Sequence, residues 1–184
     1  ARWRLVERAW ELRLSRSMIS VGFDYEAKIL FTIDNKLRRT TVTGCRDAIN
    51  GYQKGRCFYC FKAISLSNVE DNFPDVDHFF PHALKRSGWE LNVDGVWNLV
   101  LSCKKCNRGT EGKFACIPTL KLLQRLYRRN EFLINSHHPL RETLMQQTGD
   151  TIQQRKAFLN TTHGNSVGIL IHTWEPEEID RPYF

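Results

Sequence analysis

Two Cys-x-x-Cys pairs, Cys57/Cys60 and Cys103/Cys106, constrain this chain more than any other feature. One such turn sets two sulfurs on one side of an ion, and a second turn brought beside it closes a tetrahedral site. Forty-two residues separate Cys60 from Cys103, so the inserted segment has to fold in its own right while its ends stay together. No secretory signal is visible in the sequence, so paired motifs of equal spacing read as a metal site before they read as a disulfide framework. The expected occupant is Zn²⁺ on four thiolates, structural because no coordination position stays open. The competing readings are unligated buried thiols or disulfides. Cys45 and Cys116 are expected to be buried thiols outside the site, and the cysteine usage places the protein in a reducing, cytoplasmic compartment.

The rest of the composition excludes little and points one way. With 184 residues, 41% hydrophobic and 26% charged, the chain is an ordinary globular one with length enough for a real core. No apolar run approaches the ~18 residues of a membrane span, so no membrane partner is expected. The net charge of +7, with 27 Lys+Arg against 20 Asp+Glu, favours a polyanionic partner. The basic excess sits in the segments flanking the centre, at Arg2–Arg16 and Lys121–Arg129, while the tail is acidic.

Periodicity gives a coarse map. Residues 2–16 read as an amphipathic helix, Glu26–Ile33 as a strand, Asp34-Asn35 as a turn before a short second strand, and Thr43–Gln53 as a helix ending near Gly55. Val76–Phe80 and Trp97–Leu101 are short apolar strand candidates with a polar loop between them, and a short helix is expected to carry Cys106 and Asn107. Helices are then predicted after Pro118, from Pro139 to about Thr148, and from a cap at Asp150 to about Gly164, before a last strand over Val167–Trp174. The predicted organisation is an N-terminal helix and hairpin extension (1–42), a zinc-stapled core (43–116) and a mainly helical C-terminal extension (117–184).

The chemistry concentrates between the cysteine pairs. Asp75-Val76-Asp77-His78-Phe79-Phe80-Pro81 places carboxylates and an imidazole at a strand end. Trp97-Asn98-Leu99-Val100-Leu101 follows, and then Cys103-Lys-Lys-Cys106-Asn107-Arg108-Gly109, with Lys113 beyond. Cys-x-x-Cys, Asp-His-x-x-Pro, Asn-Leu-Val-Leu and Cys-x-x-Cys-Asn-Arg-Gly with a following Lys, in that order over roughly residues 55–115, resemble the HNH endonucleases in their four-cysteine, zinc-stapled form. The resemblance implies an α+β chain with a ββα-metal core, here an H-N-N variant, and a metal-dependent endonuclease acting on DNA.

Residue by residue, His78 matches the family's general base, and Asp77 the carboxylate ligand of a catalytic Mg²⁺ (or Mn²⁺). Asn107 stands at the third signature position and would complete that metal site. Asn98 matches the middle letter, where its side chain braces the loop and orients the histidine. Cys57, Cys60, Cys103 and Cys106 would hold the structural Zn²⁺. Relatives often carry Lys directly after Asn-Arg-Gly, where this chain has Thr110, so Lys113 or Arg108 is expected to contact the phosphate. The family's products carry 5′-phosphate and 3′-hydroxyl ends. His82 reads as a solvated loop residue, with contact to substrate or metal as the alternative, and most Trp and Phe residues read as core. The biological setting implied by analogy is restriction, phage defence or a mobile element, with targeting supplied by a larger polypeptide or complex. The rival reading, a non-catalytic zinc-ribbon module that binds nucleic acid, explains the charge and the cysteines and leaves Asp77, His78 and Asn107 without a purpose.

Overall fold

The computed structural model describes residues 20–24, 29–33, 39–67, 72–87, 91–136, 140–177, 179–182 and 184. Its first sheet is antiparallel in the order β1 (Ser20–Asp24), β2 (Ile29–Ile33), β3 (Arg39–Gly44). The expected strand pair corresponds to β2 and β3, and β1 adds a strand that the sequence pattern did not announce. The helix predicted over 2–16 and the Asp34-Asn35 turn lie outside the described residues.

Helix α1 (Cys45–Gln53) leads into the first cysteine pair, as predicted. It stops because Lys54 (φ 48°) and Gly55 (φ 73°) turn left-handed. Asn50 Oδ1 accepts the Gly55 N–H at 2.7 Å. From the last turn of α1, the buried Gln53 amide acts as a surrogate strand. Its Nε2 donates to the carbonyls of Arg56 and Leu101, and its Oε1 accepts the Leu101 N–H, all at 2.8 Å.

That clamp covers one edge of the central two-stranded sheet, β4 (Asp75–His78) antiparallel to β5 (Leu99–Ser102), with His78 opposite Leu99 and Asp77 opposite Val100. Almost every residue of both strands is buried, which is why the sequence shows continuous apolar runs instead of alternation. Both strands differ from their predicted bounds for one reason. The Asn98 side chain takes the N–H and the carbonyl of Phe80 at 2.8 and 2.9 Å. The chain therefore leaves β4 after His78, and Val96–Asn98 is a 3₁₀ turn before β5. A second 3₁₀ turn, His82–Ser87, lies in the connection. Helix α2 (Lys104–Arg108) follows β5 directly, so β4, β5 and α2 form a ββα unit.

The C-terminal part is helical: α3 (Leu120–Asn135), α4 (Arg141–Thr148) and α5 (Ile152–Ile169). Pro139, the predicted start of α4, lies outside the described residues. Two expectations for α5 are corrected. Its cap is Thr151 in a reciprocal capping box with Gln154, not Asp150. It also continues through Gly164 and Gly168 to Ile169, because Leu159, Thr162, His163 and Ser166 bury one side and outweigh the ~1 kcal/mol that each glycine costs a helix. The last strand therefore shrinks from Val167–Trp174 to β7 (Thr173–Trp174), paired in parallel with β6 (Ile117–Pro118).

A third correction concerns charge. Of the arginines on α3, only Arg128 is exposed. Arg129 is 2% exposed and donates to the carbonyls of Val96, Trp97 and Leu99. Arg125 donates to the carbonyls of Phe58 and Tyr59. The predicted basic face of α3 thus spends two arginines holding the central unit rather than facing solvent. Among the described residues no helix is long and apolar enough to cross a membrane, and the architecture is α+β.

Candidate active site

The two cysteine pairs meet. The Sγ atoms of Cys57, Cys60, Cys103 and Cys106 all lie within 4.8 Å of one another. Thiolates about 2.3 Å from a tetrahedral zinc are separated by about 3.8 Å, and Cys60 Sγ lies 3.8 Å from Cys103 Sγ. Local backbone sets the sulfurs. Phe61 takes a left-handed φ of 62°, and its N–H donates to the Cys57 carbonyl at 3.1 Å, curling the first turn. Cys103 caps α2, its sulfur accepting the Cys106 N–H at 3.5 Å, while Cys57 Sγ accepts the Cys103 N–H at 3.3 Å. Burial pushes the Cys57 thiol up, so a dication is what would keep it a thiolate. The composition, size and closure of this cluster fit Zn²⁺. Cys116 is half-buried and outside it, and the Cys45 side chain lies outside the described residues.

One residue on from Cys106, α2 turns Asn107 to the other side, into an open pocket of about 370 Å³ shared with Asp77, His78 and His82. Register explains the strand side of this pocket. Asp77 and His78 close β4, where the loop braced by Asn98 begins. Asn98 is wholly buried, and besides gripping Phe80 it donates to the Val93 carbonyl at 2.8 Å. Its side chain thus ties the turn after His78 to the Val93 turn.

Asp77 is held on one oxygen. Its Oδ2 accepts the Tyr59 hydroxyl at 2.6 Å and lies 3.3 Å from Lys113 Nζ. Burial raises its carboxyl above the usual range, with Lys113 and Tyr59 opposing. Among the described residues no hydrogen bond falls on Oδ1. Asn107 Nδ2 donates to Asp75 Oδ2 at 3.0 Å, which commits one amide N–H and leaves the oxygen as the atom able to meet a cation. One carboxylate oxygen and one amide oxygen beside an open pocket suit a hard, partly hydrated cation such as Mg²⁺. His78 is pushed down to about 4, first by burial, with Asp94 opposing. It is therefore neutral at neutral pH, the form that accepts a proton.

Of the two cations expected at the phosphate, Arg108 stays at the surface and Lys113 is buried. Arg108 is exposed and grips Asp75, Nε to Oδ2 at 2.9 Å. Lys113 is 0% exposed, and its ammonium donates to the His78 carbonyl at 3.0 Å and pairs with Asp77. Glycines cause this placement. A Cβ at Gly109 would sit 2.6 Å from the Lys105 carbonyl oxygen, and one at Gly112 would sit 2.8 Å from Gly109 backbone. Both positions therefore let the loop fold back on α2 (Lys113 N–H to Cys106 carbonyl, 2.7 Å), which turns Lys113 inward. Phe114, at φ 44°, is left 57% exposed at the pocket rim. Two contributors escaped the sequence reading. Tyr59 stands between the first two cysteines, and nothing in its spacing singles it out. Asp94, whose Oδ1 lies 3.2 Å from His78 Nε2, falls in the polar loop between the two strand candidates, where nothing in the sequence singles it out.

Residues 57–114 match the family model described as HNH endonuclease. No curated protein and no solved structure matches the chain.

Proposed function

We propose that this chain is a metal-dependent HNH endonuclease that hydrolyses DNA phosphodiester bonds. The observation that carries the reading is a buried His78 on the same open pocket as Asp77 and Asn107. Asp77 and Asn107 would hold Mg²⁺ or Mn²⁺, with Lys113 and Tyr59 fixing the carboxylate and Asp75 fixing the amide. When bound, the cation would stabilise the charge that develops on the phosphate and on the leaving oxygen. The His78 ring takes a proton from water, the water oxygen attacks phosphorus, the P–O3′ bond breaks with its electrons on O3′, and O3′ takes a proton from solvent, leaving a 5′-phosphate and a 3′-hydroxyl. Asn98 keeps the turn after His78 in place. The closed cysteine cluster holds Zn²⁺ and takes no part in the step. A place in restriction, phage defence or a mobile element rests on the resemblance alone.

The test is cleavage of supercoiled plasmid with Mg²⁺, Mn²⁺ or EDTA. The wild type is expected to nick or linearise the plasmid only with the divalent ion. His78→Ala is expected to lose at least about 100-fold in rate while keeping its zinc and its DNA binding. A folded, zinc-loaded wild type that binds DNA and never cuts it would establish the binding module instead.

A further inference from the structure

The buried ring of His78 meets a carboxylate for which the mechanism above has no use. Asp94 Oδ1 lies 3.2 Å from His78 Nε2 and 3.8 Å from His82 Nε2, and Oδ2 takes the Lys85 ammonium. Asp94 belongs to a turn that the fold fixes tightly. Gly95 N–H donates to the Asn92 carbonyl at 3.1 Å, Trp97 Nε1 donates to the same carbonyl at 3.1 Å, and Asn98 Nδ2 donates to Val93 next door. A Cβ at Gly95 would stand 2.5 Å from the Trp97 ring, so the turn closes over that indole only with glycine after Asp94. The brace that ends β4 at His78 therefore also sets the position of the carboxylate facing it.

The geometry points to Asp94 as the positioning residue of His78, an inference that rests on the nuclease reading. A neutral imidazole carries one proton, and the nitrogen that donates decides which nitrogen accepts. A carboxylate on Nε2 holds the proton there, which makes Nδ1 the nitrogen that takes the proton from water. Once the ring is an imidazolium, the same carboxylate lies 3.2 Å from it and stabilises the charge that the step creates. Lys85 anchors the other oxygen, so Asp94 keeps its orientation while the ring changes state.

The experiment compares wild type, Asp94→Ala, His78→Ala and the double variant, all checked for zinc content. Asp94→Ala is expected to slow single-turnover plasmid cleavage in Mg²⁺ by on the order of 100-fold, with the half-saturating plasmid concentration changed by less than about 2-fold. In the His78→Ala background the same change is expected to cost nothing further. Asp94→Asn, which keeps the side-chain shape and removes its charge, covers the case in which Asp94→Ala does not fold, and is expected to lose most of the same turnover. In ¹⁵N-histidine-labelled protein the His78 Nε2–H resonance, protected by its acceptor, is expected in wild type and absent in Asp94→Ala. Unchanged turnover, a loss confined to half-saturation, or an Nε2–H signal that survives in Asp94→Ala would overturn the inference. A wild type that never cleaves overturns the nuclease reading and any catalytic role of Asp94 with it, and the resonance still decides the contact. Cleavage by wild type and Asp94→Ala alike removes the Asp94 inference alone.

Discussion

The cysteine cluster and the open pocket start one residue apart on the same short helix, and they treat their donors in opposite ways. At Cys106 the chain turns its donor toward three others, and backbone N–H groups further bind the sulfurs. At Asn107 the protein satisfies only part of each group. The amide nitrogen goes to Asp75 and one Asp77 oxygen goes to Tyr59 and Lys113, while the pocket stays open. A closed donor set stabilises the fold, and a half-satisfied one beside solvent keeps coordination capacity for a substrate and its ion. The two sites also depend on each other, because α2 is too short to stand alone. Whatever holds Cys103 and Cys106 holds Asn107.

The largest effect should come from opening the closed site. Cys103→Ser is expected to lose zinc and to unfold the central unit, since structural metal binding is folding free energy on the order of 10 kcal/mol. Zinc stoichiometry and a thermal melt read it. A stable, zinc-loaded Cys103→Ser protein would break the comparison at its stronger end.

Next in size is the partner inside the open site. Lys113→Met leaves the buried Asp77 carboxylate without its cation, and removing one member of a buried pair costs about 3–5 kcal/mol. A divalent ion on Asp77 would restore part of that balance. Added Mg²⁺ is therefore expected to raise the melting temperature of Lys113→Met more than that of wild type. Equal responses would detach Asp77 from the metal site.

What the sequence made legible follows the same division. The cysteine pairs, the Asp77-His78 strand end and the helix carrying Asn107 all rest on local spacing, and local spacing survives folding; the role of Asn98 came from the family resemblance alone. Lys113 and Arg129 turn inward to partners in distant segments, the Asp77 carboxylate and the His78 carbonyl for Lys113 and three carbonyls for Arg129, and no local pattern of residue types records those. An arginine on a helix reads as solvated unless something shows that three carbonyls wait beneath it. Asp94 is hidden for a related reason: its partner His78 lies 16 residues away, across a polar loop whose spacing records no contact. The helix that overran Gly164 shows tertiary burial overriding propensity at single residues.

Asn98 tests the brace that joins the two halves of the pocket. Asn98→Ala removes three buried hydrogen bonds, at 2.8, 2.9 and 2.8 Å, and leaves backbone groups of Phe80 and Val93 without them. A loss of about 2–3 kcal/mol is expected, together with slower cleavage, because the turn after His78 and the turn of Asp94 are released together. Urea denaturation beside plasmid cleavage separates the two losses. Stability lost with cleavage kept would mean that the pocket does not need the brace.

The smallest effect belongs to Arg108, and it decides a question the resting geometry poses. Its side chain is 59% exposed and paired with Asp75 at 2.9 Å, a surface contact of about 0–1 kcal/mol once solvent screening is counted. Arg108→Ala should therefore barely move the melt. If Arg108 stays on Asp75 while DNA is bound, the variant binds DNA with an unchanged salt dependence. If it leaves Asp75 for a phosphate, as its place after Asn107 predicts, affinity falls for every sequence alike and the slope of log K against log salt drops by about 1. The second outcome is expected, because Asp75 keeps its hydrogen bond from Asn107 when Arg108 departs. The open site then loses nothing it needs when its outer cation turns to the substrate.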